Sequence, residues 1–244
     1  METITIVTVT YNCASSIEDT IKSVINQNYD NIEYIVIDGG SNDGTNDIIK
    51  KYLPHISTYI CEKDKGIYDA MNKGIDNATG EWILFLNAGD ILHDENVLSR
   101  IFSKEWKGTD VLWGEIKAIK EYGIKHVRFD VPFYENKKFF YGMGFSHQGV
   151  FTRVIKAIKY KFDLSYKCCA DYNMMTQLYK NGAKFSYTPE TIAIIEGRYG
   201  FSASNNAKQL LEVAHILGVE KTFRFKFFFT KWKFKQFVKK IIKK

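Results

Sequence analysis

The 244-residue chain is 45% hydrophobic and 15% aromatic, enough apolar content to bury one sizeable core, which excludes an intrinsically disordered segment. Its net charge of +6 is unevenly placed, because residues 221–244 hold ten Lys/Arg and no Asp/Glu, leaving 24 basic against 28 acidic residues in 1–220. No run of 18 apolar residues occurs and the chain enters a strand pattern at once, so neither a spanning helix nor a signal peptide is expected, and the protein is expected to start out cytoplasmic.

Ile4 to Thr10 is β-branched throughout and predicts a buried first strand. Apolar residues at Ile17, Ile21, Val24 and Ile25 then predict a helix, with Ser15 or Ser16 as its cap. A second strand, Ile32 to Ile37, runs into Asp38-Gly-Gly-Ser-Asn-Asp-Gly44. Two glycines after a strand let backbone approach a ligand, and Asp38 can accept from a base N–H or a ribose hydroxyl; alternatively the segment is a glycine-rich turn in which Asp43 caps a helix over 44–52. The glycines do not fit G-x-G-x-x-G, which excludes a dinucleotide fingerprint. Ile56 to Cys61 predicts a third strand, followed by a helix whose stripe is Ile67, Ala70, Met71 and Ile75. Trp82 to Leu86 is continuously apolar, as a central parallel strand covered on both faces would be, and Asp90 lies just past its carboxyl end. Ligands bind at such ends in open α/β sheets, and a carboxylate there can hold a hard divalent cation that also grips phosphates.

Beyond Asp90 strands cease to alternate with helices. A helix over 94–102 precedes strands over 110–120 and 123–129. Residues 132–143 are aromatic and basic, either a flap or a packed loop. His147 and Gln148 open a short apolar strand, and Asp171 sits in the first turn of a helix over 169–179, where the helix dipole favours a carboxylate whatever its role. Strands over 183–188 and 191–195 lead to Glu196-Gly-Arg-Tyr-Gly-Phe-Ser202, whose Arg198 could offer a fork to a phosphate, and residues 204–217 form an amphipathic helix. Cys13, Cys61, Cys168 and Cys169 have no metal-ligand spacing, and the adjacent pair makes a poor disulfide, so buried free thiols are expected.

Thr8-Val-Thr-Tyr-Asn12, Ile37 to Thr45, Glu62 to Gly74 and Ala78 to Asp90 resemble, in order and spacing, the successive motifs of family 2 glycosyltransferases with the GT-A fold, in particular bacterial enzymes of exopolysaccharide, capsule or O-antigen assembly, the colanic acid type included. The resemblance covers roughly residues 1–205. It implies an α/β GT-A fold: a Rossmann-like nucleotide-binding half over 1–90, a mixed sheet with an acceptor half over 91–218, and a C-terminal amphipathic helix in a tail over 219–244. It further implies that Thr8, Thr10 and Asn12 line the nucleotide pocket, that Asp38 meets the base or ribose, and that Asp64 and Lys73 lie near the ribose and phosphates. Asn87 to Asp90 takes the place of the family's metal-binding D-x-D element, leaving Asp90 as the one carboxylate for Mg2+ or Mn2+. By the same resemblance Asp171 is the catalytic base and Arg198 faces the diphosphate; His147 and Gln148, from their place at the start of a strand, are candidates for contact with the acceptor or the metal's surroundings, a structural histidine being the alternative.

The expected activity is inverting transfer of a hexosyl or N-acetylhexosaminyl group from a nucleotide-diphosphate sugar, UDP-linked by preference, to a hydroxyl of a growing lipid-linked cell-surface glycan. A sugar-phosphate nucleotidyltransferase is the alternative, but it should carry a basic glycine-rich loop after the first strand, and Tyr11-Asn-Cys-Ala14 has neither glycine nor Lys/Arg. A binding module using the basic tail on nucleic acid is a third reading. As a helix from about residue 227, the tail places Phe227, Phe234, Phe237, Val238 and Ile241 on one face and lysines on the other, the pattern of a helix lying in an anionic membrane interface. The protein is thus expected on the inner face of the cell membrane, with no nucleic-acid partner.

Overall fold

The computed structural model describes residues 1–121, 123–127, 146–197 and 206–242. The chain runs β1 (Ile4–Thr10), α1 (Ile17–Ile25), β2 (Ile32–Asp38), α2 (Thr45–Lys50), β3 (Thr58–Cys61), α3 (Ile67–Asn77), β4 (Trp82–Phe85), β5 (Ile91–Leu92), α4 (Val97–Ile101), β6 (Val111–Lys120), β7 (Gly123–Val127), β8 (Val150–Arg153), α5 (Val154–Tyr160), α6 (Ala170–Lys180), β9 (Phe185–Glu196), α7 (Asn206–Ile216) and α8 (Phe223–Ile242).

One mixed sheet has the order β3-β2-β1-β4-β8-β6-β9-β5, with β7 on the part of β6 that β8 leaves free. The first four strands are parallel. β8 then inserts antiparallel between β4 and β6. This reversal puts the start of β8 beside the end of β4, which decides where the site forms.

Alternation along β1 sorts the core. Ile4 and Ile6 face the layer made by α1, α2 and α4, while Val7 and Val9 face α3, α5 and α6. β2 repeats the division with Tyr34 and Val36 against Ile35 and Ile37. Each such fully buried aliphatic side chain contributes about 1.5–3 kcal/mol, so the two faces of these central strands anchor the fold.

The expected α/β fold and mixed sheet are present, with local differences. The segment before β3 is a 3-10 turn, Leu53–His55, because Pro54 sets it, and the strand begins at Thr58. The two expected strands over 183–195 are one, β9, which carries Pro189 through a bulge: Tyr187 pairs with Trp113, and pairing with β6 resumes at Thr191 opposite Glu115. His147 and Gln148 lie in a 3-10 turn before β8 instead of inside it. The expected serine cap of α1 makes no side-chain bond to the helix. Only Cys168 and Cys169 are buried, whereas Cys61 is exposed and Cys13 half-buried, so the expectation of buried thiols holds for half of them. The tail helix starts at Phe223, capped by Thr222, and its Phe227 and Phe234 are exposed while Phe225 is buried. Phe237, Val238 and Ile241 lie outside the side chains described, as does the aromatic segment 132–143.

Candidate active site

The end of β4 continues alongside β1 through the bonds Leu86 N–H to Val7 O and Ala88 N–H to Val9 O. The chain then turns: Asp90 N–H donates to Asn87 O at 2.9 Å, and Gly89 takes φ +97°. That left-handed angle is why glycine stands where the family motif has its second carboxylate. The turn aims Asp90 inward, where it is 5% exposed. Its carboxylate accepts from Gln148 Nε2 at 2.9 Å and from Glu196 N–H at 3.0 Å. Burial pushes the Asp90 carboxyl up, and those two bonds offset part of the rise.

The second centre is Asp171 in the first turn of α6. Its Oδ1 accepts from Tyr68 Oη at 3.2 Å and Tyr172 N–H at 2.8 Å, and its Oδ2 meets His147 Nδ1 at 3.1 Å. The other ring nitrogen, His147 Nε2, lies 3.1 Å from Asn87 Nδ2. The strand-end turn and the helix-borne carboxylate are therefore one connected unit, with His147 between them. Burial and the nearby Asp171 charge push the Tyr68 hydroxyl far up, so it stays a neutral donor. Asn87 Oδ1 is buried with no partner.

On the β1–β2 side the expected pocket residues divide. Thr8 is fully buried with its hydroxyl 3.1 Å from Tyr34 Oη. Thr10 is nearly buried, and its hydroxyl has no partner. Asn12, at φ +52°, ties the two loops together: its N–H donates to Ser41 Oγ at 2.8 Å and its Oδ1 accepts from Asn42 N–H at 3.0 Å. Asp38 is fully buried and accepts from Gly40 N–H, Ser41 N–H, the Ser41 hydroxyl and the Cys61 thiol. It orders the glycine loop, and the direct contact with base or ribose expected from the sequence has no accessible carboxylate oxygen to make it. Asp64 packs over Gly39, where a Cβ would overlap its Oδ2, and accepts from Gly66 N–H at 2.8 Å. Lys73 pairs with Glu62 at 2.7 Å, so its charge is already matched on the wall of the crevice. Arg198 lies outside the described residues.

Comparison with known sequences decides the family: the family model described as Glycosyl transferase family 2 matches residues 5–167. The chain belongs to glycosyl transferase family 2. A PGL/p-HBAD biosynthesis glycosyltransferase of Mycobacterium bovis is 29% identical over 180 residues, covering 71% of this chain and 68% of its own. Among solved structures, S. aureus TarS 1–349 in complex with UDP-GlcNAc superposes with TM-score 0.72 at 19% identity, over 89% of this chain and 66% of that one. A mannosyltransferase, PcManGT from Pyrobaculum calidifontis, in complex with GDP-Man and Mn2+, gives TM-score 0.66 at 16% identity over 88% of this chain and 63% of that one. This glycosyltransferase thus spans about two thirds of each of those solved chains, and the likeness to them establishes its GT-A fold.

Three further residues of this glycosyltransferase bear on the site. Tyr11 follows β1 with its ring against Gly39 and is 62% exposed, unusual for an aromatic at a strand end. Tyr68 reads as core from its buried place on α3, yet its hydroxyl reaches Asp171. Glu212 of α7 accepts from the backbone N–H groups of Lys167, Cys168 and Cys169 at 2.9, 2.8 and 3.0 Å, holding the start of the helix that bears Asp171. Among the described residues no three His, Cys, Asp or Glu side chains gather as a metal cluster. The donor set at the turn is one carboxylate, Asp90, and magnesium accepts such a set when substrate phosphates and water supply the rest.

Proposed function

We propose that this glycosyltransferase carries out inverting transfer of a hexosyl or N-acetylhexosaminyl group from a UDP-sugar to a hydroxyl of a growing lipid-linked cell-surface glycan. The observation that carries the reading is Asp171, a carboxylate at the start of α6 separated by a single imidazole from the turn after β4. Sugar donors of nucleotide type bind at such strand ends in open α/β sheets. The exposed Tyr11 ring offers a stacking face for the base, and Asp64 and the Gly39-Gly40 backbone flank the ribose.

In the reaction the acceptor hydroxyl gives its proton to Asp171, and its oxygen bonds to the anomeric carbon from the face opposite the diphosphate. The carbon–oxygen bond to the diphosphate breaks, and the electron pair leaves with it. One carboxylate suffices because no glycosyl-enzyme intermediate forms. Asp90 is the residue that would hold Mg2+ or Mn2+, which when bound would neutralise charge on the diphosphate.

The tail extends the reading to location. Phe223, Phe227 and Phe234 of α8 are 85%, 54% and 69% exposed among the lysines, the composition of a helix lying on anionic lipid at the inner face of the membrane. No described helix is long and apolar enough to cross a membrane.

The decisive experiment is Asp171→Asn, assayed by UDP release and product formation over a panel of UDP-sugars. A positioned base contributes ~10²–10⁴ in rate, so transfer should fall by that factor while UDP-sugar affinity stays within about 2-fold. An Asp171→Asn protein with full turnover removes the carboxylate from the role.

A further inference from the structure

Asn87, with Gly89, is where this chain departs from its family's motif, and the contacts of the amide show what it can do. Asp171 can only accept, so the proton shared between it and His147 belongs to the ring: Nδ1–H donates at 3.1 Å. A neutral imidazole with its proton on Nδ1 has a lone pair on Nε2, and Asn87 Nδ2, a donor, lies 3.1 Å from it. The two contacts are mutually consistent with one tautomer. A carboxylate at position 87 would instead ask Nε2 for a proton, flanking the ring with two acceptors and making it a cation.

The lone-pair count at Asp171 then singles out an atom. Oδ1 receives two donors, Tyr68 Oη and Tyr172 N–H, and is full. Oδ2 receives one, His147 Nδ1–H, and keeps a lone pair. We propose that Asn87 and His147 are positioning residues which fix the Nδ1–H tautomer and thereby hold Asp171 Oδ2 as the atom that takes the acceptor's proton. This rests on Asp171 being the base. Neither residue exchanges a proton with substrate; the acceptor proton ends on Oδ2. The arrangement also accounts for the missing first carboxylate of the family motif: the position is used to orient the base.

The test exploits the shapes of the two amides. Asn places its Nδ2 near the position of a histidine Nδ1, whereas Gln places its Nε2 near that of a histidine Nε2. His147→Ala should lower kcat about 10–100-fold with the UDP-sugar KM unchanged, the scale on which small misplacements of reacting groups act. His147→Asn, keeping the donor to Asp171, should recover most of that loss, and His147→Gln should not. Equal recovery by both, or by Gln alone, overturns the proposal. In the full-length wild-type chain, 15N-labelled at histidine, His147 should show a protonated Nδ1 and an unprotonated Nε2, and Asn87→Asp should add the second proton. A wild-type ring protonated on Nε2, or an Asn87→Asp ring unchanged, likewise overturns it, independently of activity. Failure of the base assignment is separately visible, because it would leave Asp171→Asn active.

Discussion

Glu212 is a surface-looking residue whose removal should be felt in both stability and chemistry. Its carboxylate accepts three backbone N–H groups at the start of α6, two of them from the buried Cys168 and Cys169. Glu212→Ala leaves these donors without a partner. An unsatisfied buried donor costs about 1–3 kcal/mol, so the two buried N–H groups together should cost about 2–6 kcal/mol, with the more exposed Lys167 N–H adding little because water can replace its bond. For a chain of this size each kcal/mol moves Tm by about 2–4 °C, which gives a fall of about 4–24 °C, measurable by scanning calorimetry or fluorescence. Because Asp171 lies two residues past Cys169, the folded fraction should also lose turnover without a matching change in UDP-sugar affinity. Glu212→Gln, retaining one oxygen, should fall between the two. A Glu212→Ala protein melting within about 2 °C of wild type would refute the account, since that is the size of an ordinary surface substitution.

Two further outcomes follow from other parts of the chain. Burial raises the Asp90 carboxyl, so the folded state holds that proton more tightly than the unfolded chain and wild-type stability falls as pH rises past the ordinary carboxylate range. Asp90→Asn removes the buried charge, and its Tm relative to wild type should therefore climb between pH 4 and pH 7 while transfer drops; a relative Tm that declines over that range would sink the reading. Each Lys or Arg near an anionic surface contributes about 1 kcal/mol, so sedimentation with phosphatidylglycerol vesicles should be strong and salt-sensitive for the full chain and lost on truncation after Glu220. Equal pelleting of both proteins would show that α8 is not the anchor.

What the sequence made legible was position along elements. Asp90 past an apolar strand and Asp171 in a helix's first turn were both readable, because strand ends and helix starts are local patterns. Partnership was not. Gln148 reaches Asp90 only because β8 enters the sheet antiparallel, a tertiary choice that the short apolar run after Gly149 does not encode. Tyr68 was hidden by burial, since a tyrosine packed into the core shows no sign in sequence of where its hydroxyl points. Thr8 and Asp38 have partners that sequence does not show: a polar residue near a strand end invites a ligand, and here Tyr34 and the glycine loop bond these two from within the fold. Lys73 likewise has a partner that lies outside its own helix, Glu62, eleven residues before it.

The reversed direction of β8 has a consequence for how the site is held in place. Strand registry with β4 pins the residues just before β8, so His147 and Gln148 are located by pairing at Leu84 and Phe151 and owe nothing to the length of the segment that precedes them. That pairing, and not the length of chain between β7 and β8, is what sets their place beside the turn after β4. The donor-side loops, by contrast, are cross-tied through Asn12, Ser41 and Asp43 and tolerate little change. Sheet registry and loop cross-ties thus hold the two sides of the β4 strand end by different means.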